Sequence, residues 1–67
     1  MATVATLPQL LTIQQLADRL NVNTRHIRRL VAERRVPFLK VGHFVRFDPT
    51  EITDWLSRNR VAPLRAQ

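Results

Sequence analysis

The 67-residue sequence predicts a small α+β domain in which two short helices meet across a tight turn and are followed by a β-hairpin and a closing helix. Three observations carry this. Apolar residues recur at helical spacing on both sides of Asn21-Val22-Asn23. The pattern changes to period two around Gly42, the single glycine. Asp48-Pro49-Thr50-Glu51 has the form of a helix start.

Residues 1–11 lack periodicity and contain Pro8, so they are expected to form a flexible or extended arm that can lay Leu7, Leu10 and Leu11 on the body. Thr12 with Gln15 three residues on has the spacing of a capping box, in which two orphan backbone groups are satisfied reciprocally. Ile13, Leu16, Ala17 and Leu20 then share one helical face, which predicts a helix from about Ile13 to Leu20. Asn21 falls where a tight turn wants a positive φ, and Asn is the side chain least penalised there after Gly. Asn23 is placed to cap a second helix that buries Ile27, Leu30 and Val31. Steps of about 100° leave Arg25, Arg28, Arg29 and Ala32 on its opposite side.

Pro37 ends helical continuation, and Phe38-Leu39-Lys40-Val41 and Val45-Arg46-Phe47 read as the strands of a hairpin. A two-residue loop would pair Val41 with Phe44 and Leu39 with Arg46, mixing apolar and charged side chains on one face. A three-residue loop pairs Val41 with Val45, Leu39 with Phe47 and Lys40 with Arg46. Because it segregates the faces, the three-residue register is the expected one, with Phe44 at the tip and Lys40, His43 and Arg46 on a shared polar face. The last helix opens with Asp48 as N-cap, Pro49 at the first position and Glu51 closing a second capping box. Ile52, Trp55 and Leu56 form its inner stripe, and it should fray near Arg58 or Asn59, leaving residues 60–67 as a short basic tail. The folded domain is therefore expected over residues 12–59.

Composition narrows the function. Eleven basic side chains stand against five acidic ones, for a net charge of +6, and ten of the eleven are arginine. From Arg25 to Arg46 seven cations face the single acid Glu33, so the whole net charge lies in that third of the chain. A charge run is commonly just a solvated face, but the planar arginine fork suits phosphate and guanine edges, and a concentrated basic stripe in a tiny domain suits nucleic acid. A chain of this size hides only about 60% of the surface that its unfolded form exposes, which leaves little for a deep substrate cavity and argues against an enzyme. No catalytic set, metal-ligand spacing or glycine-rich phosphate loop is apparent, and no cofactor is implied. Cysteine is absent, and no apolar run approaches the roughly 20 residues that span a bilayer, so the expectation is a cytoplasmic protein without disulfides or membrane contact.

Two helices joined by three residues, with Ala17 facing inward on the first and Asn21 four places later, describe a helix-turn-helix rather than a plain helical hairpin. Ala17 allows a close crossing and Ile27 and Leu30 anchor the second helix. Arg25, Arg28 and Arg29 then project where a recognition helix meets base edges. Thr24 and His26, in its first turn, are within reach of phosphate. Lys40, His43 and Arg46 are the candidate contacts of the hairpin, where arginine can enter a minor groove. Trp55 is expected in the core. A footprint of about 600–1,000 Å² gives one copy modest specificity, so cooperative self-association on DNA is expected, with Phe44, Leu7, Leu10 and Leu64 as protein-contact candidates.

The stretch LTIQQLADRLNVNTRHIRRLVAERRVPFLKVG followed by FVRFDPTEITDWL, from Leu11 to Asn59, resembles the small excisionase-type winged helix-turn-helix domains related to the DNA-binding part of the MerR family. The passages that carry the likeness are Val-Pro-x-x-Lys-Val-Gly at Val36 to Gly42, Val45-Arg46-Phe47, and Asp54-Trp55-Leu56. The length and basic tail resemble the recombination directionality factors of actinobacterial temperate phages. That likeness implies a winged helix-turn-helix fold and a double-stranded attachment-site DNA partner, which the protein binds and bends, making a phage integrase excise rather than integrate. A transcriptional regulator would need the same helix and wing. A protein-interaction module with a basic face is the alternative of another class.

Overall fold

The computed structural model describes Leu7 and residues 9–63. Helix α1 spans Ile13–Leu20 and α2 spans Thr24–Ala32. Strands β1 and β2, Leu39–Val41 and Phe44–Arg46, form an antiparallel hairpin, and α3 runs over Pro49–Arg58. This is a small α+β winged helix-turn-helix.

The helix boundaries follow local chemistry. The Thr12 hydroxyl accepts from the Gln15 N–H at 3.0 Å and the Gln15 side chain accepts from the Thr12 N–H at 2.9 Å, completing the expected capping box. Asn21 ends α1 at φ 58°, and the paired bonds from the Asn21 and Val22 N–H groups to the Asp18 and Ala17 carbonyls close the turn. Asn23 then caps α2 through the His26 N–H at 2.8 Å. Asp48 caps α3, but its carboxylate takes the Thr50 N–H at 2.9 Å, so the second capping box expected through Glu51 is replaced by a shorter cap.

The core is formed by Leu11, Leu16, Ala17, Ile27, Leu30, Val36, Phe47 and Ile52, with Phe38, Val45 and Trp55 packed against it. Ala17 is buried where α1 and α2 cross, as a close approach requires. Phe47 is fully buried, and its N–H and C=O exchange hydrogen bonds of 2.9 and 2.8 Å with Leu11. Leu11, assigned to the arm by its sequence context, is thus part of the core, while Leu7 is exposed and Leu10 half-buried. Leu64 lies outside the described residues. Leu56, expected on the inner stripe of α3, is exposed, and Trp55 takes the tertiary contact instead: its indole N–H donates to the Arg35 carbonyl at 2.9 Å.

The hairpin register differs from the expected one. Val41 pairs with Phe44, Lys40 with Val45 and Leu39 with Arg46, so the loop is the two residues Gly42-His43, with Gly42 at φ 64° supplying the left-handed step. Strand alternation then groups Phe38, Lys40, Val45 and Phe47 on one side, where the apolar three meet the core and Lys40 remains exposed, and Leu39, Val41, Phe44 and Arg46 on the outer side. Segregation within the strands is outweighed by the gain from seating both phenylalanines, Phe38 and Phe47, against the core. The three-residue register would turn Phe38 outward.

With so small a core, single deletions are severe. Phe47→Ala is expected to cost about 3–5 kcal/mol, comparable to the total stability of a domain this size, and urea denaturation should find it largely unfolded. Trp55→Phe, which removes one hydrogen bond, should cost only about 1 kcal/mol. A Phe47→Ala protein as stable as Trp55→Phe would refute this account of the core.

Candidate nucleic-acid interface

Helix α2 buries Ile27 and Leu30 and exposes Arg25, His26, Arg28 and Arg29. Relative to Arg25, helical steps turn Arg28 about 60° to one side and Arg29 about 40° to the other, so the three guanidinium groups share one outward sector. Asn23, Arg25, His26 and Arg29 border a shallow recess of about 160 Å³. The Arg28 guanidinium donates to the Thr24 hydroxyl at 3.3 Å, one turn back, which restrains that side chain along the helix. His26 contributes its backbone N–H to the Asn23 cap, leaving the exposed imidazole uncommitted among the described residues.

This arrangement is electrostatically unfavourable for an isolated domain. The first turn of α2 carries no acid, and Arg25 stands at its second position, where the partial positive end of the helix disfavours a cation by about 0.3–1 kcal/mol. Arg25 also faces Arg28 and Arg29 at spacings where like charges repel by about 0.2–0.5 kcal/mol each. A polyanion over this surface would relieve both costs. At about 10–12 Å across, the exposed helix also matches the width of a B-DNA major groove.

The wing carries its cations differently from the expectation. In the two-residue register Lys40 lies opposite Val45 and Arg46 opposite Leu39, so Lys40 and Arg46 leave the hairpin on opposite faces and form no like-charge pair. His43 is exposed in the loop. The Arg46 guanidinium donates to the Val45 carbonyl at 2.8 Å and lies 5.2 Å from the centroid of the Phe44 ring, a cation–π contact on the outer face. Leu39, Val41 and Phe44 on that face are 38%, 52% and 61% exposed, an apolar patch that the expected register would have hidden in part.

Between α2 and the wing the sequence reading missed one backbone feature. Arg34 adopts φ 55°, a left-handed conformation that costs a residue with a β-carbon about 1–2 kcal/mol. Its neighbour Arg35 pairs with Glu33 at 3.2 Å, the only ion pair among the described residues. The described residues contain no group of three or more His, Asp or Glu side chains able to hold a metal, and none of their helices is long and apolar enough to cross a membrane.

If the α2 arginines serve a ligand rather than the fold, removing one should not weaken the free protein. Arg25→Ala is expected to leave the unfolding free energy unchanged or raise it by up to about 1 kcal/mol, measured by urea denaturation at low salt. A loss above about 1 kcal/mol would assign Arg25 to the fold.

Over residues 10–60 the chain matches the sequence profile of a helix-turn-helix domain family. No curated protein and no solved structure matches it. With that match spanning most of the sequence, and with α1, the Asn21 turn and the arginine-bearing α2 in the arrangement such domains use, the chain belongs to the helix-turn-helix domain family and is a sequence-specific DNA-binding module.

Proposed function

We propose that this module is an excisionase-type accessory factor that binds and bends phage attachment-site DNA and directs a phage integrase towards excision. The observation that carries the DNA-binding geometry is the cluster of Arg25, Arg28 and Arg29 on one outward sector of α2, with no acid in its first turn. The excisionase role is supported by the resemblance of the Val36 to Gly42, Val45 to Phe47 and Asp54 to Leu56 passages to that family.

In this reading α2 enters the major groove, with Arg25 and Arg28 at base edges and Arg29, Thr24 and His26 at the flanking phosphates. The wing lies along the adjacent backbone with Lys40, His43 and Arg46. Neighbouring copies bind cooperatively, touching through the outer apolar face at Phe44 and through the arm and tail at Leu7, Leu10 and Leu64, so that several small footprints organise a long site. The protein acts on DNA in the host cytoplasm and performs no chemistry itself. Strand exchange belongs to the integrase.

Two measurements test this. Arg28→Ala should cost about 1–3 kcal/mol on the cognate duplex and much less on random DNA, whereas equal losses on both would reduce Arg28 to a phosphate contact. In a recombination assay with the cognate integrase and purified attachment sites, adding the protein should raise excision at least tenfold and depress integration. Excision that proceeds equally without it would overturn the excisionase role and leave a transcriptional regulator with the same DNA-binding surface.

A further inference from the structure

Arg34 closes α2 in a paired-bond helix end. Its N–H donates to the Val31 carbonyl at 3.0 Å and the Arg35 N–H donates to the Leu30 carbonyl at 2.8 Å. That geometry demands a left-handed residue, which glycine adopts freely and arginine does not. Nothing in the fold accounts for an arginine there. Its side chain is exposed and makes no hydrogen bond among the described residues. Glu33, the one acid between Arg25 and Arg46, is taken by Arg35. The carbonyl end of α2 needs no third cation, since Arg29 lies in its last turn and Arg35 follows within two residues of the cap.

A strained backbone position carrying an uncommitted cation points to a ligand that the free protein lacks. We propose that Arg34, in the turn that leads from α2 towards the wing, is a further contact to the DNA sugar-phosphate backbone, an assignment that rests on α2 being the DNA-binding helix. Its guanidinium offers two parallel donors to one phosphate. The turn that presents it is anchored on its C-terminal side, where the Trp55 indole N–H holds the Arg35 carbonyl at 2.9 Å, and on its N-terminal side by α2 itself. Arg34 therefore leaves a rigid base, so little further ordering is needed when it meets a phosphate. Arg35 differs from it in having a partner, since its guanidinium pairs with Glu33 at 3.2 Å and its carbonyl is held by Trp55 of α3.

The test is a stability and binding comparison of wild type, Arg34→Gly and Arg34→Lys, with Arg28→Ala as the base-contact control. Glycine is the residue that the turn favours, so Arg34→Gly folds, and its melting temperature should rise by roughly 4 °C. Its affinity should fall about 3- to 10-fold on cognate and random duplexes alike, and the slope of log K against log salt should shrink by about 0.9, the signature of one lost phosphate contact. Arg34→Lys should retain the wild-type slope. An Arg34→Gly protein with wild-type affinity and slope overturns the assignment while leaving the DNA-binding role of α2 standing. A wild-type protein that shifts no duplex, or an Arg28→Ala protein indistinguishable from it, overturns that underlying role instead.

Discussion

The reciprocal pair of backbone hydrogen bonds between Leu11 and Phe47 is the constraint on which the domain depends. It joins the segment entering α1 to the segment entering α3, two points 36 residues apart in the chain. It also fixes the depth of Phe47, the largest fully buried side chain. Strand alternation turns the Phe47 N–H and C=O away from β1, so the segment running from β2 into Phe47 has β1 on one edge and Leu11 on the other. Around it pack Val45 and Phe38 from the hairpin and Ile52 from α3.

Against that economical core stands a surface that works against the free fold. Arg25 occupies the disfavoured end of a helix, its neighbours repel it, and Arg34 holds a conformation that its β-carbon resists. Each is a small penalty, but the domain has few stabilising contacts to set against them. The two positions stand at opposite ends of α2, Arg25 in its first turn and Arg34 just past its C-cap, so the helix bears a cost at each end. Two of the five acids have assigned partners that leave the α2 arginines unneutralised: Asp48 caps α3, and Glu33, the C-cap of α2, pairs with Arg35.

The features readable in the sequence are those decided within four or five residues. Thr12 with Gln15, the left-handed Asn21, Asn23 before α2 and Asp48 before Pro49 set helix ends through bonds between near neighbours, and the structure keeps them. What escaped was decided by distant segments. The hairpin register turns on whether Phe38 or Leu39 packs inward, a competition settled by α1, α2 and Leu11. Val36 is buried although it sits between Arg35 and Pro37 with no periodicity to reveal it, and Leu56 is exposed although helical spacing put it inward. The arginines of α2 were legible because a helix of known phase assigns its outward sector. The left-handed backbone of Arg34 was not, because an arginine at a helix end carries no sign of it.

The hairpin also bears on the solubility of the isolated protein. β1 is the outer strand, and its sequence Leu-Lys-Val would be well suited to recruit the edge of another sheet. The ladder turns the backbone groups of Leu39 and Val41 towards β2, so within β1 the free edge presents the N–H and C=O of Lys40, a residue whose charge would accumulate along any stack of copies. The apolar side chains of the wing can therefore stay uncovered in solution while the charge of Lys40, at the centre of the open edge, discourages backbone-mediated polymerisation.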